Sequence, residues 1–170
     1  QGFEGKSPNK HNKSLFIVEP LEREVSKKIK DGEIPQMRVK KKDTELRDKF
    51  VECGMDTKVA DKIKDIYEGN ILIDKTRGIV HIGEIMEMVC DMFEDVMRAG
   101  PLAKEPCINL KVSLTDCKLH EDAIHRGPAQ LYPAVREGIR GSMMTGRPVL
   151  FEPIQILRIE APQDFVGGVS

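Results

Sequence analysis

Residues 119–130 read LHEDAIHRGPAQ. His120, Asp122, His125 and Arg126 set imidazole, carboxylate and guanidinium side by side, the groups that move protons, bind metals and hold phosphates. Their spacing limits what they can do. His120 and His125 are not at the i, i+4 spacing that stacks two ligands on one helical face, so a metal site using His120, Asp122 and His125 needs a curved loop. Asp122 with His125 has the residue types for acid–base catalysis, but no nucleophile and no phosphate-binding glycine loop accompany them. A solvated loop that only joins two core elements is the plain alternative. Arg126-Gly127 offers a third chemistry: a guanidinium beside backbone with no side chain, suited to phosphate or to stacking on a base.

A second polar stretch, KSPNKHNK at 6–13, carries Lys6, Pro8, Asn9, Lys10, His11 and Lys13. Like the first, it borders an apolar run. If both loops lie at one end of a sheet, they form a tip, cationic on one side and mixed on the other. Such a tip touches RNA through local contacts, because the formal net charge of −1 leaves no global basic field. The geometry required is that Pro8 and His125 meet at the same extremity, with the His125 ring facing outward.

The elements that have to position these loops follow from periodicity. Residues 1–13 predict a loop or frayed end. SLFIVEP at 14–20 predicts a strand, and Pro20 opens a helix over about 21–30 with acids in its first turn and lysines in its last. Arg38, Lys40, Lys41 and Lys42 form a charge run expected in a solvated loop. Two short helices, about 44–53 and 57–68, each end at a glycine, so about 33–69 reads as a helical insertion. NILID at 70–74 is a strand. Ile82, Ile85, Met86, Val89, Phe93, Val96 and Met97 then mark one face of a long helix over about 79–99. Ile108, Leu110, Val112 and Leu114 alternate with Asn109, Lys111, Ser113 and Thr115 in a strand at 107–117, with one covered face and one wetter face. Pro133 belongs in the first turn of a helix from about 131 to 145, which leaves 128–130 in the loop. The last strand, about 149–160, is split by Pro153. The order predicts an α+β fold: one sheet with helices mainly on one face, plus the helical insertion.

The 170 residues suffice for one domain with a core, or one domain and part of another. No apolar run approaches 18 residues and no signal-peptide core precedes the first strand, so no membrane partner is expected. Four cysteines without a C-x-x-C pair argue against a zinc knuckle and for a reducing cytoplasm. Gln1 in first place reads as a cut from something longer.

Four segments, KSPNKHN at 6–12, GPLAKEPC at 100–107, LHEDAIHRGPAQLYPAVR at 119–136 and VLFEPIQILRI at 149–159, together resemble the translation elongation factor two family, the ribosomal translocases of archaea and eukaryotes. Their order and spacing match across nearly the whole chain. Pro128-Ala129-Gln130 stands where eukaryotic members have Gly-Gly-Gln, so the resemblance is to archaeal members. It implies that 1–148 form the factor's fourth domain, folded like the second domain of small-subunit ribosomal protein five, and that 149–170 begin a truncated fifth. It implies that His125 accepts diphthamide, and that Lys6, Pro8, Asn9, Lys10, His11, Lys13, His120, Asp122, Arg126, Gly127 and Gln130 form an RNA-contacting tip. The implied partners are the small-subunit decoding site, transfer RNA, messenger RNA and the diphthamide-synthesis enzymes. No G-x-x-x-x-G-K-[ST] loop occurs, so GTP and magnesium belong to another domain and this chain is expected to hold no cofactor and to catalyse nothing. A free-standing RNA-binding domain, or a small metal- or acid–base-dependent enzyme, are the alternatives. Residues 154–160, a strand without its partners, are expected to be disordered or paired with a neighbouring copy.

Overall fold

The computed structural model describes residues 2–100 and 106–145. The expectations for Gly100–Cys107 and for the last strand and tail therefore lie wholly or largely outside the described residues. The strands are β1 (Phe3–Lys6), β2 (Lys13–Pro20), β3 (Ile63–Tyr67), β4 (Asn70–Asp74) and β5 (Leu110–Lys118). The helices are α1 (Arg23–Lys30), α2 (Thr44–Glu52), α3 (Thr57–Ala60), α4 (Ile82–Arg98) and α5 (Pro128–Thr145). A single 3₁₀ turn, Ala123–Arg126, precedes α5. The strands make one sheet in the order β1-β2-β5-β4-β3, in which only β4 and β5 run parallel. The fold is α+β.

Alternation along the strands sorts the core into two layers. Leu72 packs with Phe16, Val18, Val112 and Leu114 beneath α4 and α5, whose buried stripes include Val89, Phe93, Val135 and Ile139. Its neighbours Ile71 and Ile73 point to the opposite face, where α1, α2 and α3 bring Val25, Ile29, Leu46 and Phe50. The two long helices thus share one face, and the three short ones cover part of the other. That cover is why Ser113, expected on a wetter face, is only 1% exposed.

Four local expectations are corrected. Residues 3–6 are not a frayed end but an edge strand, paired with β2 from Phe3–Phe16 to Lys6–Lys13. Gly5 permits this, because a Cβ there would overlap the Ala134 carbonyl of α5. The helix expected at 57–68 stops at Ala60, and β3 then joins the main sheet, so the insertion is only partly helical. The third correction concerns α5, which begins at Pro128 rather than 131. Gly127 O accepts from both Gln130 N and Leu131 N, and Pro128 fills the first helical position, where its missing N–H costs nothing. Pro133 therefore lies inside the helix and forfeits one backbone bond. Finally, the segment around Arg38 is not a free loop. Val39 N donates to Lys64 O, Ile66 N donates to Met37 O, and Arg38 bridges to Asp65 along the β3 edge.

All four cysteines are free thiols. Burial pushes Cys90 and Cys117 up to about 12 and Cys107 up to about 11, so these three remain protonated and unreactive.

Candidate nucleic-acid interface

The β1–β2 turn and the loop after β5 meet at one end of the sheet because β2 and β5 pair antiparallel, with Lys13 opposite Lys118. The turn is closed by Ser7 N to Asn12 O at 2.9 Å and Lys10 N to Ser7 O at 2.8 Å. Lys10 sits there at φ 63°. Asn12, 1% exposed, joins the two loops. Its Nδ2 donates to His125 O at 2.7 Å, and its Oδ1 accepts from His120 N at 2.9 Å. Asn9 adds a second bond to His125 O at 3.1 Å, while its own N–H donates to Gln130 Oε1 at 2.9 Å. Every one of these bonds between the loops has a backbone group on one side, so the histidine rings are left unclaimed by them.

Those rings converge. The His120 and His125 centroids are 4.6 Å apart, His11 and His120 4.9 Å, and His11 and His125 6.3 Å, all edge to face. His125 and His11 are exposed and His120 is half-buried. His120 Nδ1 accepts from Asp122 N, which places the proton of its neutral ring on Nε2, available to a ligand. Asp122 also accepts from Ile124 N and so caps the 3₁₀ turn, leaving its charge on the surface. Lys6, Pro8 and Lys10 are exposed; Lys13 and Gly127 are half-buried. Among the described residues no set of three or more His, Cys, Asp or Glu side chains is placed to hold a metal ion.

Arg126 has a different role from the one its sequence context suggests. Its side chain is 6% exposed, and it offers nothing to phosphate or base. One guanidinium nitrogen donates to the carbonyls of His120 and Glu121 at 2.9 and 2.8 Å, and the other reaches Glu84 of α4 at 2.8 Å. Glu84 is gripped a second time by His81 Nδ1 at 2.6 Å. The Arg126 guanidinium, with His81 behind it, holds the Glu84 carboxyl below its usual range. Arg126 therefore ties the histidine loop to the start of α4.

Sequence reasoning missed Ser7, Asn12, Glu84 and Ile124. Asn12 and Ser7 lie inside the quoted loop, but residue type alone does not say that they are buried. Glu84 is remote in sequence and carries no signal. Ile124, beside His125, is 81% exposed, an apolar side chain held out at the extremity.

A mixed sheet with two long helices on one face, ending in a two-loop histidine tip, defines an α+β domain. Residues 32–147 match the family model described as elongation factor G, domain IV, and the chain belongs to that family. Among curated relatives, elongation factor 2 of Methanocaldococcus jannaschii is 53% identical over 166 residues, 97% of this chain. Elongation factor 2 of Methanococcoides methylutens is 50% identical over 98% of the chain, and that of Pyrococcus horikoshii 47% over 98%. The resemblance to archaeal elongation factor two thus extends over nearly the whole chain, whereas the chain spans only 22–23% of the length of these relatives.

Proposed function

We propose that this chain is the arm by which a ribosomal translocase reaches the small-subunit decoding site, contacting transfer RNA and messenger RNA as they move. The observation that carries the reading is the tip itself. Hydrogen bonds pin the backbone of His120 and His125, while the exposed His11 and His125 rings, the half-buried His120 ring and the Ile124 side chain gather at the extremity. Rigid backbone with free rings suits stacking on bases and hydrogen bonding to sugar or phosphate. Lys6, Lys10 and Lys13 supply phosphate contacts, Asn9 and Gln130 fix the turn, and Pro8 stiffens it. Arg126 and Asp122 shape the loop. His125, the exposed ring whose carbonyl is held twice, is the site proposed for diphthamide. The added cationic group would extend the reach of the tip, and the diphthamide-synthesis enzymes would find the ring accessible.

GTP hydrolysis, with its magnesium, falls to another part of the factor, and the arm works in the cytoplasm. Contact through about three cations gives a shallow log–log salt slope, about −2 to −3, so the isolated chain binds weakly. Linkage to other domains raises the effective concentration at the decoding site. Titration of the chain against small ribosomal subunits, with and without Lys6→Gln and Lys10→Gln, tests the tip. A loss of affinity is expected, and unchanged binding would rule it out as the contact. Mass spectrometry of the His125 peptide from an archaeal host tests the modification, since an unmodified peptide contradicts that assignment.

A further inference from the structure

The tip does not account for the lysine run at 40–42. In the structure this run is presented rigidly. The residues before it are hydrogen-bonded to the β3 edge, and Arg38 is clamped by Glu87, Asp91 and Glu94 of α4, each at 2.8 Å. Beside the run lies a cleft of about 240 Å³ between the 39–43 segment, α2 and β3. Leu46, Phe50, Ala60 and Ile63 form its apolar floor, and Lys41, Lys42 and Lys64 stand on its rim.

The two acids that line the cleft each have a partner. Asp43 caps α2 by accepting from Leu46 N, and Asp61 faces Arg47 at 3.6 Å. Among the described residues, Lys41, Lys42 and Lys64 have no carboxylate within 4.0 Å. Lys41 and Lys42 on the held segment and Lys64 on β3 bring three ammonium groups without an ion-pair partner to one cleft, a surface complementary to anions. β3 is two strand spacings, about 10 Å, beyond β5, whose end carries the tip loop, and the cleft floor belongs to the core layer on the sheet face opposite α5, so the cleft is a surface separate from the tip.

We propose that the Lys41–Lys42–Lys64 cleft is a second RNA-binding site, one that holds the phosphate backbone of ribosomal RNA while the tip engages its own target. This rests on the ribosomal reading of the arm but assigns a separate surface. The lysines bind as point charges, so the site is indifferent to base sequence and sensitive to salt. Its role is to orient the arm.

The test measures binding of the full chain to purified small-subunit ribosomal RNA across 50 to 200 mM salt. It compares wild type, the triple variant K41Q/K42Q/K64Q and the tip variant K6Q/K10Q, with thermal melts to show that all three fold. Three lost phosphate contacts should remove about 20- to 40-fold of the affinity decline that wild type shows over that salt range. A triple variant with unchanged affinity and slope overturns the cleft, and if K6Q/K10Q weakens binding in the same experiment, the tip reading survives alone. The reverse pattern upholds the cleft, the tip being judged on small subunits, and no change in either variant overturns the cleft. A glutamate-rich peptide that binds wild type but not the triple variant, with the RNA slope unaltered, reassigns the cleft to a protein partner and overturns the proposal.

Discussion

Two polar networks on this molecule are built in opposite ways. At the tip, Asn9, Asn12 and Arg126 spend most of their hydrogen bonds on backbone carbonyls and amides of the histidine loop, with Arg126 also reaching the Glu84 carboxylate. Against α4, Arg38 spends its own on the carboxylates of Glu87, Asp91 and Glu94, with buried Asp65 at 3.9 Å. The first arrangement fixes a loop's course and leaves its side chains to face a partner. The second consumes charge against charge and leaves little for a ligand. An amide or guanidinium that binds main chain builds a presenting surface, and one that binds side chains builds a girder.

Removing the girder has the largest expected cost. Arg38→Met removes the cation from three carboxylates of α4, Glu87, Asp91 and Glu94, beside the buried Asp65. Breaking a buried ion network from one side costs about 3–5 kcal/mol, and with Glu87 and Asp91 open to solvent the lower end, about 3 kcal/mol, applies here. Urea denaturation should show that loss, and because the network lies apart from the tip, the tip's contribution to binding by the still-folded fraction should be unchanged. A drop below about 1 kcal/mol would mean that the two networks do not differ in the way described.

Next comes the pin between the loops. Asn12→Ala removes bonds to His125 O, His120 N and the Ser7 hydroxyl, leaving the part-buried His120 N–H without its partner and His125 O with Asn9 alone. The expected cost is about 2–3 kcal/mol. Unlike Arg38→Met, it should also raise amide hydrogen exchange at His120 and weaken binding through the tip. Stability loss with unaltered exchange would show that the loops hold their course without the pin.

The networks also differ in legibility. Regular periods were readable: the alternation of β5 and the stripe of α4 came through because each repeats without interruption. β3 did not. Its register shifts between Ile63 and Asp65, so Asp65 and Ile66 are buried in succession, and the spacing of Ile63, Ile66 and Tyr67 imitates a helix. The turn that follows, Glu68-Gly69, has φ of 49° and 81°, and the Glu in first place hides a two-residue hairpin signal. β1 was missed because its evidence is Gly5 against Ala134, a contact between distant parts of the chain. At the tip, the residues were readable as types but not as roles. Arg126 looked like a ligand group and is a brace, because only the fold brings Glu84 to it.

Asp65 sharpens the comparison through pH. Burial, with the neighbouring Glu94 carboxylate, pushes its carboxyl up to about 8. The folded chain then holds a proton that the unfolded chain has released, so stability falls as pH rises from the usual carboxylate range to about 8 and levels off above it. The slope from this one group is at most about 1.4 kcal/mol per pH unit. Asp65→Asn should flatten the profile between pH 5 and 8 in thermal melts. An unchanged slope would place the proton elsewhere in the Arg38 network.

The smallest effect on folding, and the most decisive for the contrast, belongs to His125→Ala. The ring is exposed, and the group that Asn9 and Asn12 hold is the carbonyl, which alanine keeps. Stability should therefore change by less than about 0.5 kcal/mol. Affinity for small ribosomal subunits should fall all the same, because the ring is the proposed point of base or sugar contact. If instead the melt shifts by several degrees, the imidazole is itself part of the structure, and the separation of pinned backbone from free side chain that distinguishes this end of the molecule from the Arg38 network does not hold.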